Sequence, residues 1–191
     1  PPPGRAPVLI ASRLKCLYLA YFSRPACDRG LYRAMARSKT RRILEIGLGD
    51  ATRAQRLIAV AHRYSGGEAI RYTAIDLFEA RPANAPGLQL KQAHKLLKAT
   101  GAQVQLIPGD PASALARSAN ALQNTDLVLI AGGHGETQMA GAWFYLPRML
   151  HPGSAVYVES CHGDGGLPVL TRLSPSEIES RATAARRRRA A

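Results

Sequence analysis

The chain has 191 residues, 46% of them hydrophobic and 20% charged, which suits one folded domain of ordinary size and excludes wholesale disorder. No apolar run approaches the roughly 18 residues of a membrane-spanning helix, so we expect no membrane partner. The net charge of +13 lies at the two ends, because residues 1–42 carry +9, residues 171–191 carry +4 and the residues between them are neutral. The cysteines show no C-x-x-C spacing, which favours free thiols in the cytoplasm over disulfides or structural zinc: Cys16, Cys27 and Cys161.

Residues 1–40 form a predicted basic, helical N-terminal arm. Apolar residues recur at roughly helical spacing from Val8 to Phe22, and Pro25 interrupts the pattern. A second short helix is predicted from Asp28 to Ser38. Most of the positive charge at the N-terminal end therefore lies on or between two helices.

From residue 41 onward, short apolar runs that end in glycine or a polar residue alternate with helical patterns. Such runs are typical of buried parallel strands, and the alternation is typical of βαβ units. Because crossovers are right-handed, residues 41–160 are predicted to form an α/β fold with a doubly wound, mainly parallel sheet. Asp50 and Asp110 are predicted helix caps. The strands are predicted around residues 42–46, 72–76, 104–107, 127–131 and 155–158, and the last helix between them over 137–150.

The C-terminal segment, residues 161–191, is predicted to hold an edge strand and an Arg-rich helix or tail. The strand is predicted over residues 168–173. Ser174 and Glu177 have the spacing of a capping box, which should open a helix that carries Arg186 to Arg189. Residues 184–191 contain no large apolar side chain, which predicts that they can be removed without loss of the core.

The loops that follow parallel strands meet at one edge of the sheet, where ligands bind. Gly47 and Gly49 follow the first predicted strand and let the backbone pass close to a ligand. Thr52 stands where the dinucleotide fingerprint G-x-G-x-x-G needs its third glycine, which argues against a bound pyrophosphate. Glu45 could receive an ammonium group, and Asp76 could accept both hydroxyls of a ribose. Two carboxylates without a basic residue favour a cationic nucleoside over a phosphorylated one.

Five segments resemble the motifs of class I S-adenosylmethionine-dependent methyltransferases, in the order of that family. The resemblance covers about residues 41–160, and its pattern is closest to the small metal-dependent O-methyltransferases. It implies the Rossmann-like methyltransferase fold, with S-adenosyl-L-methionine as the methyl donor. The segments are residues 43–50, 72–76, 107–111, 126–130 and 148–153.

The resemblance also implies which residues hold the donor. The glycine loop would line its methionine portion, with Glu45 close to the amino group. Asp76 would hold the ribose and Asp110 the adenine amino group, while Leu77 or Phe78 would pack on the adenine. The predicted donor site comprises Glu45, Gly47, Leu48, Gly49, Asp76, Leu77, Phe78, Gly109, Asp110, Pro111, Ala131 and Gly132.

Two departures from the resembled pattern bear on chemistry and fold. The fourth strand of the metal-dependent enzymes ends in a metal-binding Asp, where this chain has Ala131, so no metal site is predicted. The loop that follows offers His134 and Glu136 as candidate catalytic residues that take a proton from the methyl acceptor, because histidine titrates near neutral pH. A histidine bonded only to the loop backbone is the alternative. Little sequence also remains for the two-stranded hairpin that usually completes the sheet of the family.

The methyl acceptor is not identified by any motif, and we expect a small molecule. Two alternatives stay open. One is a catalytically inactive module that binds an adenosyl ligand. The other is an RNA-modifying methyltransferase that holds its substrate with the Arg-rich ends, which would make a nucleic acid the partner. The sequence also leaves open whether the chain forms an oligomer.

Overall fold

A six-stranded sheet forms the centre of the computed structural model, which describes residues 12–82, 87–131, 136–161 and 167–190. The strands are β1 (Arg42–Ile46), β2 (Arg71–Asp76), β3 (Gln103–Pro108), β4 (Thr125–Ile130), β5 (Leu150–Cys161) and β6 (Pro168–Leu173). Their order across the sheet is β3-β2-β1-β4-β5-β6, and every neighbouring pair is parallel except β5 and β6. The predicted doubly wound, mainly parallel sheet is therefore confirmed.

Seven α-helices precede, connect or follow these strands in the described parts of the chain. They are α1 (Arg13–Tyr21), α2 (Asp28–Arg37), α3 (Thr52–Tyr64), α4 (Leu90–Lys98), α5 (Pro111–Ser118), α6 (Glu136–Met139) and α7 (Pro175–Ala190). Three short 3₁₀ helices cover Phe78–Ala80, Ala142–Phe144 and Leu146–Arg148. None of the helices within the described ranges has the length and apolar content needed to cross a bilayer.

Each face of the sheet buries its own hydrophobic cluster. Helices α1 to α4 cover one face, against strand residues such as Ile43 and Tyr72. Helices α5 and α7 and the last two 3₁₀ helices cover the other face, against strand residues such as Leu44 and Val128. Tyr32 in α2 belongs to the first cluster and is 1% exposed, so the N-terminal arm shares the core of the sheet.

Residues 137–150 differ from the single helix predicted for them. Helix α6 ends at Met139, two 3₁₀ helices follow, and β5 already begins at Leu150. Gly141 explains the break, since a Cβ there would lie 3.1 Å from Ala112 Cβ, and glycine lowers helix stability. Pro147, inside the second 3₁₀ helix, cannot donate a backbone hydrogen bond to a longer helix.

The predicted helix caps are largely as expected. Asp110 accepts a hydrogen bond from Ser113 N at 3.0 Å and caps α5. The residue that caps α3 is Ala51, one residue after the predicted cap Asp50, and it has a left-handed conformation. The Asp50 carboxylate accepts a hydrogen bond from Thr52 N at 2.9 Å. Asp50 thus serves the start of the helix without occupying the cap position.

The C-terminal segment packs on the second face of the sheet. Strand β6 is antiparallel to β5, and within the described residues it is the single strand that follows β5. Ser174 N donates to Glu177 Oε2 at 2.7 Å, as in the predicted capping box. Ala185 is 3% exposed within the second cluster, so residues 184–191 contact the core, and the expected stability after their removal stays a prediction. Small alanines let α7 lie close to its neighbours without a large apolar side chain.

Candidate functional site

The carboxyl ends of four parallel strands meet at one edge of the sheet through backbone hydrogen bonds. Gly47 N donates to Ile75 O at 2.8 Å, and Gly109 N donates to Asp76 O at 2.9 Å. Ala131 N donates to Ile46 O at 2.9 Å. The predicted donor-binding loops that the structure describes are therefore brought together.

The loop after β1 needs glycine for its backbone conformation. Gly47 has φ 88° and Gly49 has φ 60°, values in the left-handed region that residues with a Cβ rarely adopt. A Cβ added at Gly49 would meet no atom within 4 Å, so the conformation and not crowding requires glycine there. The loop presents open backbone toward the edge of the sheet.

A cavity of about 400 Å³ lies over this loop. Gly47, Leu48, Gly49 and Ala131 supply part of its wall, as the sequence predicted for the donor site. The N-terminal arm supplies Arg24, Pro25 and Asp28, which sequence patterns did not place there. The remaining lining residues are charged or polar and come from β1, α3 and its N-terminal turn, and β5: Glu45, Asp50, Thr52, Arg53, Arg56 and Glu159.

Glu45 lines this cavity but is almost completely buried, with 1% of its surface exposed. Its side chain projects to the face of the sheet covered by α3, where the Tyr72 hydroxyl donates a hydrogen bond to Glu45 Oε2. Burial raises the pKa of Glu45 to about 7, although the hydrogen bond from Tyr72 and the charge of Arg53 oppose that rise. Glu45 can therefore be neutral or charged at physiological pH, depending on what binds beside it.

Arg53 joins two carboxylates from distant parts of the chain beside Glu45. Its Nη2 lies 2.6 Å from Glu159 Oε1, and its Nη1 lies 3.1 Å from Glu159 Oε2. Its Nε lies 3.1 Å from Asp28 Oδ1. Burial raises the pKa of Asp28 and outweighs the opposing charge of Arg53. The prediction of carboxylates without a basic residue is therefore wrong, because α3 carries Arg53 into the cavity wall.

Asp76, at the end of β2, is buried and already holds several hydrogen-bond donors. Its Oδ2 accepts from Leu48 N at 2.7 Å, and its Oδ1 accepts from Leu77 N at 2.6 Å. Arg81 Nε donates to Oδ1 at 3.1 Å. Burial alone would raise the pKa of Asp76, but the bonds from Arg81 and Leu48 N outweigh it and hold that pKa below its usual range. Asp76 is thus an ionised acceptor.

Two aromatic or apolar candidates for the adenine differ in exposure. Phe78 is 3% exposed and packs in the first hydrophobic cluster, whereas the preceding Leu77 is half-buried. Leu77 is therefore the better placed of the two to cover a ligand. Gly109, with φ 126°, and the exposed Asp110 follow β3 at the same edge, and the buried Pro111 begins α5. The backbone N–H of Ser113 lowers the pKa of Asp110, so this carboxylate is also ionised.

Some predicted residues lie outside the described part of the chain. Gly132 and His134 belong to residues 132–135. Glu136 begins α6, and its side chain is also outside the description. The catalytic roles predicted for His134 and Glu136 stay predictions.

The opposite end of β4 from Ala131 holds a carboxylate, Asp126, which is five residues earlier in the sequence. Asp126 Oδ2 accepts from Arg41 N at 2.7 Å and Arg42 N at 2.8 Å, and Asp126 Oδ1 lies 3.0 Å from His151 Nε2. Asp126 thus fixes the start of β1 to the start of β4, away from the glycine loop. Within the described ranges, no three side chains of His, Cys, Asp or Glu converge as metal ligands would.

Comparisons with known proteins identify the fold. No protein-family model matches the sequence, and no curated protein matches it. The MycE methyltransferase of the mycinamycin biosynthetic pathway, solved with Mg and SAH, is similar in structure with a TM-score of 0.51 and 20% identity over 81% of this chain and 40% of MycE. This chain has the class I methyltransferase fold.

A second solved structure is similar with a lower TM-score. The SAM-dependent methyltransferase from Agrobacterium tumefaciens gives a TM-score of 0.49 and 11% identity, over 80% of this chain and 46% of that protein. The present chain therefore spans less than half the length of either methyltransferase.

Proposed function

We propose that the chain binds S-adenosyl-L-methionine at the carboxyl edge of its sheet and transfers the methyl group to a small-molecule acceptor. The observation that carries this proposal is the cavity over Gly47 and Gly49, walled by acidic side chains and adjoined by the ionised Asp76. A cationic nucleoside needs such carboxylates, and S-adenosylmethionine carries both an ammonium and a sulfonium charge. The class I methyltransferase fold supports the same ligand.

The methionine portion would lie in the cavity over the glycine loop. Four carboxylates line the cavity against three arginines, so at most one negative charge is in excess. The carboxylates around Arg53 can accept hydrogen bonds from the ammonium group of the ligand. The carboxylate of the ligand would face the basic side of the cavity: Arg24 and Arg56.

The nucleoside portion would extend toward Asp76 and the loop after β3. Both oxygens of Asp76 accept hydrogen bonds from backbone N–H groups, which hold the carboxylate in one orientation. The ribose hydroxyls would take the place of Arg81 on that carboxylate. Leu77 would cover the adenine, and Asp110 would accept from its amino group.

The chemistry asks for positioning more than for acid or base strength. The sulfonium of the donor is an activated methyl group that an acceptor nucleophile displaces directly. The chain would hold the donor rigidly on the glycine loop and exclude water with the arm residues Arg24 and Pro25. His134 or Glu136 would take the proton of the acceptor.

A small-molecule acceptor agrees with the pathway named for the similar MycE methyltransferase, which is one of mycinamycin biosynthesis. The arm also covers part of the cavity, which leaves less room for a large acceptor. An inactive binding module would share the donor site, and turnover separates the two functions.

Calorimetry with S-adenosylhomocysteine tests the donor site directly. The wild type should bind, and Asp76→Asn should weaken binding by at least about tenfold, since a buried charge-assisted hydrogen bond contributes about 1.5–3 kcal/mol. Glu179→Gln removes one exposed negative charge from α7, away from the edge, and should bind like the wild type. Absence of binding by the wild type, or equal binding by Asp76→Asn, would refute the proposed site. Binding without methyl transfer to any acceptor would leave the inactive module.

A further inference from the structure

Three arginines converge on one aromatic ring on the second face of the sheet. The guanidinium carbons of Arg148, Arg189 and Arg186 lie 4.6, 4.8 and 5.9 Å from the centroid of the Phe144 ring. Arg148 ends the second 3₁₀ helix after α6, whereas Arg186 and Arg189 lie in the last turns of α7. Arg148 and Arg189 are about 40 residues apart in the sequence, and the fold brings both to the same ring.

Packing of α7 holds this surface in place. Ala182 and Ala185 are buried on the inner face of α7, and Arg189 Nη1 donates to the Tyr145 hydroxyl at 2.6 Å. The Phe144 and Tyr145 rings meet edge to face with centroids 5.0 Å apart. A surface with fixed side chains loses less entropy when it binds than a flexible tail does.

The charge of the surface is not balanced by nearby acids in the described structure. Arg148 and the run Arg186 to Arg189 are all exposed, and none of them takes part in an ion pair between described residues. The acids of α7 lie near its start, and Glu179 is about 10 Å along the helix from Arg186 at 1.5 Å per residue. Glu177 is bound to Ser174 in the cap. We call these five arginines the arginine surface.

We propose that the arginine surface binds a nucleic acid through its phosphodiester backbone. Guanidinium groups have a planar fork of donors that matches the oxygens of a phosphate, and all five cations are arginines. A row of phosphates would bridge guanidinium groups that are held close together around Phe144. A membrane surface fits less well, because the apolar face of α7 is buried against the sheet and cannot enter a bilayer.

This inference goes beyond the proposed methyl transfer and does not depend on it. The arginines of the surface and the lining of the cavity over the glycine loop share no residue. Loss of nucleic-acid binding would leave donor binding unchanged, and loss of the donor site would leave nucleic-acid binding unchanged. The two proposals can therefore fail separately.

Fluorescence anisotropy with a labelled, unstructured single-stranded RNA tests the proposal on the full chain. A triple variant should raise the Kd at least tenfold near 0.1 M salt; it combines Arg148→Gln, Arg186→Gln and Arg189→Gln. Each lost phosphate contact lowers the slope of log K against log salt by about 0.7, so the slope should fall by about 2. No binding by the wild type at low salt would overturn the proposal.

A matched control removes three exposed cations from the N-terminal arm: Arg13→Gln, Arg37→Gln and Lys39→Gln. It has the same net charge as the first variant and should keep most of the affinity. An equal loss in both variants would overturn the proposal, because binding would then follow net charge and not the arginine surface. A polyglutamate peptide that competes as well as unlabelled RNA would also overturn it in favour of an acidic protein partner.

A second variant protects the test against a folding defect. Arg187→Gln with Arg188→Gln changes two exposed arginines that make no ring contact with Phe144 or Tyr145. It should melt like the wild type and still lower the salt slope by about 1.4. An unchanged slope in this folded variant would overturn the proposal.

Discussion

Arg81 and Asp76 form a two-point ion pair at the carboxyl end of β2. Arg81 Nε lies 3.1 Å from Asp76 Oδ1, and Arg81 Nη2 lies 2.8 Å from Asp76 Oδ2. Arg81 Nη1 also donates to Leu88 O at 3.1 Å, and Leu88 N donates to Gly49 O at 3.3 Å. Arg81 therefore occupies the carboxylate that the proposed ribose would use, so nucleoside binding requires Arg81 to move.

Replacement of Arg81 should tighten donor binding. Arg81→Met keeps the apolar stem of the side chain but frees Asp76 for the ribose, so we expect affinity for S-adenosylhomocysteine to rise by up to about tenfold, the scale of one charge-assisted hydrogen bond. Calorimetry measures the change. Arg71→Met, at the other end of β2, is the matched control and should bind like the wild type. Weaker binding by Arg81→Met would mean that Arg81 contacts the ligand.

Much of the fold follows from local patterns in the sequence. The core of β4 around Val128 is a continuous apolar run, which is typical of a strand buried on both faces. Gly47 and Gly49 also mark their loop, because their backbone conformation excludes most other residues. The prediction of a single helix over residues 137–150 was wrong, because the apolar spacing there does not reveal the close contact of Gly141 with α5.

The charged part of the site follows from contacts that no local pattern records. Arg53 and Glu159 are 106 residues apart, and Arg53 and Asp28 are 25 apart. Each residue has ordinary neighbours in the sequence, and only the fold brings them to one cavity. Arg81 lies only five residues after Asp76, so this ion pair, unlike the other two, is compatible with a local pattern in the sequence.

Glu45 should make stability depend on pH. Burial raises its pKa to about 7 in the folded state, whereas the unfolded chain keeps a value near 4.5. The folded state therefore binds more protons between these values, and the free energy of unfolding should fall as pH rises through them, by up to about 3 kcal/mol. Glu45→Gln should lose this dependence. Between pH 5 and pH 8 its free energy of unfolding should therefore fall less than that of the wild type.

Urea unfolding at several pH values from 5 to 9 measures this effect. Glu179→Gln, an exposed acid on α7, is the control and should follow the wild-type curve. If Glu45→Gln also follows that curve, Glu45 does not titrate near neutral pH.

Arg53 should stabilise the fold because it contacts two carboxylates from distant parts of the chain. Asp28 is fully buried and the Glu159 side chain is 11% exposed, so Arg53→Met removes a cation that both contact and should cost about 3–5 kcal/mol in urea unfolding at pH 7. Adding Asp28→Asn and Glu159→Gln should recover most of that loss. Arg56→Met, one turn along α3, removes one hydrogen bond to Arg24 O and should cost about 1 kcal/mol. Equal costs for both arginines would contradict a special role of Arg53.

Methyl transfer should need no divalent metal ion. Magnesium and similar cations prefer several oxygen ligands, commonly carboxylates. Ala131 stands at the end of β4, and Asp126 at the other end is about 16 Å away along a strand and bound to two backbone N–H groups. In the sequence, Glu136 is the one carboxylate among the ten residues after Ala131, and one carboxylate alone holds such a cation weakly.

His134 is therefore expected to take the proton of the acceptor, with Glu136 orienting it or acting alone. Turnover against a panel of hydroxyl and amine acceptors, with and without a chelator, tests both statements. Activity should survive the chelator, and His134→Ala should lower it by about 100-fold or more, the usual contribution of a general base. His94→Ala, an exposed histidine of α4, should keep full activity. Activity that the chelator abolishes and magnesium restores would refute the metal-free mechanism, and full activity of His134→Ala would remove His134 from it.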